Sequence, residues 1–250
     1  MQPLVTRTAG RGRVVVDENV WRLGLGAGSA GTYHLAQLDA YAGTPRRRFT
    51  QRAPLQMRLQ ARASHADLPG TWGFGLWNDP FGFSLGFGGG SQLPALPNAA
   101  WFMFASPRNH LSLDNKLPGN GGHAAVYRSP RIPSLLLAPG ILALPLLALP
   151  MAARGVRRAA STIVQQEAAA LTSDPTEWHN YELLWHTNHV EFKVDGVSIL
   201  HSVIAPQAPL SLLLWLDNQY AAWLPDGRMH YGVEAPQPDS WIEIRDLQVQ

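Results

Sequence analysis

The chain has 250 residues, 46% of them apolar, with 23 Gly, 20 Pro, no Cys and a formal net charge of +2. That apolar content can build a sizeable core and excludes wholesale disorder. Disulfides, thiolate catalysis and cysteine-based metal sites are excluded, and so small a net charge gives no case for a nucleic-acid partner.

In chain order, the N-terminus MQPLVTRTAGRGRVVV lacks the apolar centre of a signal peptide. A cytoplasmic or peripheral-membrane location is expected from it. VVVDENVWRLGL opens a strand region. Gly26-Ala27-Gly28-Ser29-Ala30-Gly31 has the letters of a dinucleotide fingerprint, but no strand–helix context surrounds it and Asp39 comes too early for the ribose acid, so it is expected to be a loop. Arg46, Arg47, Arg48 and Arg52 form a basic cluster. PLQMRLQARAS alternates, with Leu55, Met57, Leu59 and Ala61 on one face and Gln56, Arg58, Gln60 and Arg62 on the other. TWGFGLWND and AAWFMFAS are aromatic strands. In the first, Gly73 and Gly75 leave one face free of side chains, either for close approach to the backbone or for a bend.

Ile132–Leu171 breaks the pattern. IPSLLLAPGILALPLLALPM is 20 residues without a charge, long enough to cross a bilayer, yet four prolines and a glycine interrupt it. ARGVRRAASTIVQQEAAALTSD then has helical composition, with an approximate apolar stripe of Val156, Ala160, Ile163, Val164 and Leu171. Arg154, Arg157 and Arg158 fall in its first turns, where the helix dipole disfavours cations unless an anion offsets them. The segment suits an interfacial membrane anchor, a lid over an apolar pocket, a dimer arm or a packed helical subdomain.

Strands return in Glu177–Gly196, EWHNYELLWHTNHVEFKVDG. Tyr181, Leu183 and Trp185 alternate with polar neighbours, as do Val190, Phe192 and Val194. Turns fall at Thr187-Asn188 and Asp195-Gly196. VSILHSV, PLSLLLWLDN and WIEIRDLQVQ follow. In the last, Trp241, Glu243, Arg245, Leu247 and Val249 should share one face. Many short strands without βαβ alternation imply a two-sheet sandwich.

The pattern W-H-x-Y-x-x-x-W followed by x-F-x-V-D-G, at Trp178–Trp185 and Glu191–Gly196, resembles the laminarinase-like sandwiches of glycoside hydrolase family 16, in the concanavalin A-like superfamily. The resemblance spans roughly residues 50–128 and 177–250. It implies an all-β, concanavalin A-like jelly-roll sandwich: one domain over residues 1–250, with an apolar, partly helical insertion at 129–176. It also implies a catalytic strand carrying Glu-x-Asp-x-Glu or Glu-x-Asp-x-x-Glu, whose period-two spacing aligns the acids of a retaining hydrolase. The strand in that place, Ala99–Ala105, has no acid, and no Glu occurs between Glu18 and Glu167.

What remains is a set suited to sugars, in which aromatic faces meet C–H surfaces and amides or carboxylates meet hydroxyls. The candidate ligand-binding residues are Trp77, Asn78, Asp79, Trp101, Trp215, Asp217, Asn218 and Tyr220. The expected function is non-hydrolytic glycan binding on the concave sheet face. One alternative is a membrane-associated binder of an apolar or lipid ligand through residues 132–171, or self-association there. Another is an enzyme with relocated acids, Asp79 and Asp217 first. No cofactor is expected. His186 and His189 flank a turn near His179, and His110 lies close to Asp114, but no metal-binding motif surrounds either group, so no metal is expected.

Overall fold

The structure is a computed structural model that describes residues 3–80, 95–133, 136–137 and 149–250. Alternation decides the strands. β5 (Leu55–Ala63) buries every second residue, and β10 (His179–Trp185) and β11 (Val190–Val194) do the same. The remaining strands before the helix are β1 (Val5–Ala9), β2 (Gly12–Asp17), β3 (Val20–Leu25), β4 (Leu35–Asp39), β6 (Thr71–Trp77), β7 (Ala99–Ala105) and β8 (Gly121–Arg128). Helix α1 (Pro150–Ile163) follows, then β9 (Gln165–Ala170). The C-terminal part adds β12 (Val197–Ser202), β13 (Ser211–Asp217), β14 (Gln219–Trp223), β15 (Met229–Val233) and β16 (Ser240–Val249).

Among the described residues these strands make two seven-stranded sheets and a small hairpin. The first sheet runs β1-β4-β13-β6-β7-β8-β9 and the second β12-β11-β10-β5-β16-β3-β2; β14 pairs with β15. Strand pairs in both sheets are antiparallel. The expected sandwich is therefore present.

Its interior is apolar. Trp72 stacks on Phe104 at 3.8 Å, and Phe102 meets Phe192 edge-on at 5.2 Å. Tyr181, Leu183 and Trp185 face them from β10. The β10–β11 turn lies at residues 186–189, closed by His186 N–H donating to the His189 carbonyl. Asp195 and Gly196 both take positive φ, as a type I′ turn requires.

Three sequence expectations are corrected. Helix α1 ends at Ile163, and Gln165–Ala170 is a strand pairing with β8. Helix propensity in Gln-Gln-Glu-Ala-Ala-Ala loses to an open sheet edge that needs partners. The range 129–176 thus contains a sandwich strand. Second, the inward face of α1 is Ala153, Arg157 and Ala160, continued by Val164, whereas Val156 and Ile163 are exposed. Third, β16 bulges after Arg245, with Asp246 at φ 55°. The bulge reverses the alternation, so Leu247 and Val249 pack on the core rather than sharing the outer face with Trp241, Glu243 and Arg245.

Much of the uncharged run at 132–151, namely 134–135 and 138–148, lies outside the described residues. No helix among the described residues is long and apolar enough to cross a membrane. Residues 26–31 form a loop.

Candidate functional site

The first sheet has an outer face as aromatic as its interior. On β6, Trp72, Phe74 and Leu76 point inward, leaving Thr71, Gly73, Gly75 and Trp77 outside. β7 contributes Trp101 and Met103, β13 Leu213 and Trp215, and β8 Ala125 and Tyr127. Trp101 is the hub: its ring lies 6.1 Å from Trp77, 5.8 Å from Trp215 and 5.6 Å from Tyr127. Tyr41 extends the cluster, 5.9 Å from Trp77.

The two glycines of β6 make this arrangement possible. Gly73 stands opposite Trp215, and Gly75 opposite Trp101. A Cβ on Gly73 would come within 2.8 Å of the Trp215 ring, and one on Gly75 within 2.6 Å of the Trp101 Cβ. The bare backbone of β6 is therefore a bed for the indoles of both neighbours, not a bend.

The cluster is only partly open. Trp101 is 8% and Trp215 6% exposed, whereas Trp77 is half-buried. Phe49, Leu111, Leu113 and Val164 pack against it. Trp101 and Trp215 are thus not the open platforms the sequence suggested.

Polar groups ring the aromatic patch. Asp39 is fully buried and accepts from Arg7 Nε at 2.6 Å and Gln37 Nε2 at 2.7 Å. Arg7 also donates to the Tyr41 hydroxyl at 2.9 Å. At the opposite end, Asp217 Oδ1 accepts from the Thr71 hydroxyl at 3.0 Å, and Trp215 Nε1 donates to that same hydroxyl oxygen at 3.0 Å. Burial raises the Asp217 pKa to about 7, against the hydrogen bonds from Thr71, Gln219 and Tyr33. Burial likewise raises Asp79, offset in part by Arg46 and Arg7.

Three buried polar atoms at this face have no hydrogen-bond partner among the described residues: Trp77 Nε1, Trp101 Nε1 and Asp79 Oδ2. Buried donors and acceptors are nearly always paired; the other five such atoms among the described residues are spread over His34, His110, Ser173, Tyr181 and Trp223.

The other candidates have structural work. Asn78 Nδ2 donates to the Leu96 carbonyl at 2.8 Å and its Oδ1 accepts from Asn98 N at 2.9 Å, which ties the end of β6 to the start of β7. Asn218 is fully buried and spends its amide on His34 N, Thr32 O and Glu234 O. Tyr220 belongs to the β14–β15 hairpin, where Arg108 lies 4.0 Å over its ring and donates to its hydroxyl at 2.9 Å.

Asp217 does not form a retaining pair with Asp79 or Asp39. Asp217 pairs with Thr71, while Asp79 lies two residues beyond Trp77 at the other end of β6. Six strand residues separate those ends by about 20 Å. Asp39 faces Leu213, four residues from Asp217 along β13, or about 13 Å. Retaining chemistry needs about 5–5.5 Å and inverting chemistry about 6.5–9.5 Å. On the outer face β7 carries Ala99, Trp101, Met103 and Ala105, and no acid.

No group of three metal-capable side chains occurs among the described residues. His186 and His189 instead stack at 4.3 Å, and His179 is tied to Asp195 at 2.6 Å. Arg157 needs no external anion: it donates to the carbonyls of Trp223 at 3.1 Å and Ser112 at 3.0 Å.

No protein-family model matches this chain, and no curated protein matches it. Solved structures do. A glycoside hydrolase family 16 endo-glucanase from Bacteroides ovatus, in complex with G4G3G-2F-DNP, superimposes with a TM-score of 0.51 at 10% identity, over 99% of this chain and 94% of that one. A legume lectin-like domain from Entamoeba histolytica gives 0.48 at 10%, over 99% and 89%. LamAcat from Zobellia galactanivorans gives 0.49 at 14%, over 94% and 79%. The fold is a concanavalin A-like jelly-roll β-sandwich.

Proposed function

We propose that this protein binds a carbohydrate on the outer face of the first sheet and does not hydrolyse it. The observation that carries the reading is the trio of buried, unpartnered polar atoms, Trp77 Nε1, Trp101 Nε1 and Asp79 Oδ2, beside stacked indoles. Two N–H donors and a carboxylate oxygen match sugar hydroxyls, and the indole surface matches sugar C–H faces. Trp77, half-buried, is the accessible member of the set, whereas Asp79, Trp101 and Trp215 are nearly covered. The endo-glucanase that shares this fold agrees with a carbohydrate ligand.

One observation favours an enzyme instead. A carboxyl with a pKa of about 7 is suited to proton transfer near neutrality, and Asp217 is such a group. Its neighbouring carboxylate is Glu234, which accepts from Gly70 N while Asp217 accepts from the adjacent Thr71, but β7 brings no acid to this face, so we keep binding as the reading.

The test is a glycan array followed by incubation with laminarin and lichenan. The expected result is glycan binding lost in Asp79→Asn, with no reducing ends released. Asn tolerates the left-handed backbone that Asp79 adopts at φ 50°, so this variant should fold. An array with no hit above background overturns the proposal. Turnover abolished by Asp217→Asn replaces it with the enzyme reading.

A further inference from the structure

The outer face of the second sheet carries a different chemistry. Here Arg and Trp side chains interleave across neighbouring strands. Arg22 lies 4.7 Å over the Trp241 ring, and Arg62 lies 5.5 Å from that ring and 4.9 Å from Trp178. Arg245 closes the row, 4.2 Å over Trp178. A guanidinium held over an indole loses little further freedom when it binds; Arg245 donates from Nε and one terminal N–H to Gln60 Oε1.

The row already holds one carboxylate. Glu243 sits between Arg22 and Arg62 in the cross-strand register. Its Oε1 accepts from Arg22 Nε at 2.8 Å and its Oε2 from Arg62 Nε at 2.8 Å. Neither arginine is exhausted, because each guanidinium has five N–H donors, and the Arg22 side chain remains 52% exposed.

Beside this row lies an open groove of about 540 Å³, lined by Arg11, Arg13, Arg22, Asp239 and Trp241 over Gly24. Its lining carries three cations and one anion. Arg13 has no acidic partner among the described residues, and the Arg11 guanidinium donates to the Ala27 carbonyl rather than to an acid. Such a volume suits one or two sugar rings.

We propose that this groove and the adjoining Arg–Trp row dock an acidic polysaccharide whose charges are carboxylates, a polyuronate. Charge complementarity selects an anion, and Glu243 shows that paired guanidiniums at this spacing accept a carboxylate. The acids Glu243, Asp239 and Glu182 are interspersed on or beside the same face. They argue against nucleic acid, whose duplex carries a charge about every 1.7 Å of its axis and would meet them repeatedly. A chain with one carboxylate per sugar can pass between them. This surface is separate from the aromatic patch and does not rest on the carbohydrate reading of that patch.

The experiment measures binding of polygalacturonate to wild type and to Arg11→Gln/Arg13→Gln at low ionic strength, with dextran, dextran sulfate and a single-stranded RNA as comparison polymers. Both replaced side chains are exposed, and thermal melting checks the fold. The expected result is binding of polygalacturonate and not dextran, lost at high salt because exposed charges are screened. The double variant should bind about tenfold more weakly, since two charge-assisted contacts are removed. Arg128→Gln, which removes an exposed cation from the first sheet, should leave this binding unchanged. No binding, equal binding by the double variant, or stronger binding of RNA or dextran sulfate overturns the proposal.

Discussion

The two faces of the first sheet are built alike and behave differently. The inner face stacks Trp72 on Phe104 and buries Phe74 and Phe102 against Tyr181. The outer face packs Trp77, Trp101 and Trp215 at similar ring distances. Aromatic packing alone therefore does not separate core from site. The polar surroundings differ: on the outer face Trp77 Nε1, Trp101 Nε1 and Asp79 Oδ2 have no partner among the described residues and carboxyls flank the rings, whereas on the inner face only the Tyr181 hydroxyl among the described residues is in that position.

The largest test of this contrast is on the inner side. Phe192 is fully buried between the sheets. Phe192→Ala should cost ~3–5 kcal/mol in chemical denaturation and leave the affinity of the folded fraction for glycan unchanged. A loss below about 1 kcal/mol would remove Phe192 from the core.

Asp217 gives a pH test on the outer side. Its folded pKa of about 7 stands above the ordinary 3.8. The folded state therefore holds the proton more tightly, so this group's contribution is full below about pH 4 and is lost as pH rises through 7. Between pH 4 and 8, Asp217→Asn should gain about 3–4 kcal/mol of stability relative to wild type. His34, His110 and His123, whose pKa values burial lowers, act in the opposite direction in both proteins. The difference between the two denaturation curves is therefore the readout, and a difference that does not vary with pH would contradict the assignment.

Gly75 links the two faces. A Cβ there would lie 2.5 Å from the Ala100 carbonyl oxygen and 2.6 Å from the Trp101 Cα. Gly75→Ala should cost about 1–3 kcal/mol and displace the Trp101 indole, so that glycan affinity falls with stability. An undisturbed melt would show that the indole does not need the bare backbone.

Strands with one buried face were legible in the sequence because alternation is imposed by burial itself, as in Leu55–Ala63 and Val190–Val194. β9 was not, because its sequence favours helix and only the open edge of β8 makes it a strand. The bulge at Asp246 was hidden by a perfect alternation of letters. Of the candidate site, the indoles were visible as aromatic strands, but which face each took depended on the pairing of Gly73 and Gly75 with their neighbours. The sequence offers Asn78 and Asn218 as ligand amides and does not show that backbone groups engage both. Arg7, Gln37, Asp39 and Tyr41 were missed. The signal was present in Gln37-Leu38-Asp39-Ala40-Tyr41, where polar residues alternate with core residues on a central strand.

The smallest expected change in stability carries the most information. Trp77→Phe keeps an aromatic ring against Tyr41 and Trp101 and removes the Nε1 donor, which has no partner among the described residues, together with part of the indole surface. Calorimetric titration of wild type and Trp77→Phe with the strongest glycan from the array, alongside thermal melts, tests the contribution of that indole. The account predicts a stability change below about 1 kcal/mol and a roughly tenfold loss of affinity. Unchanged affinity with a folded variant would contradict it and return the outer face to the role of a second core.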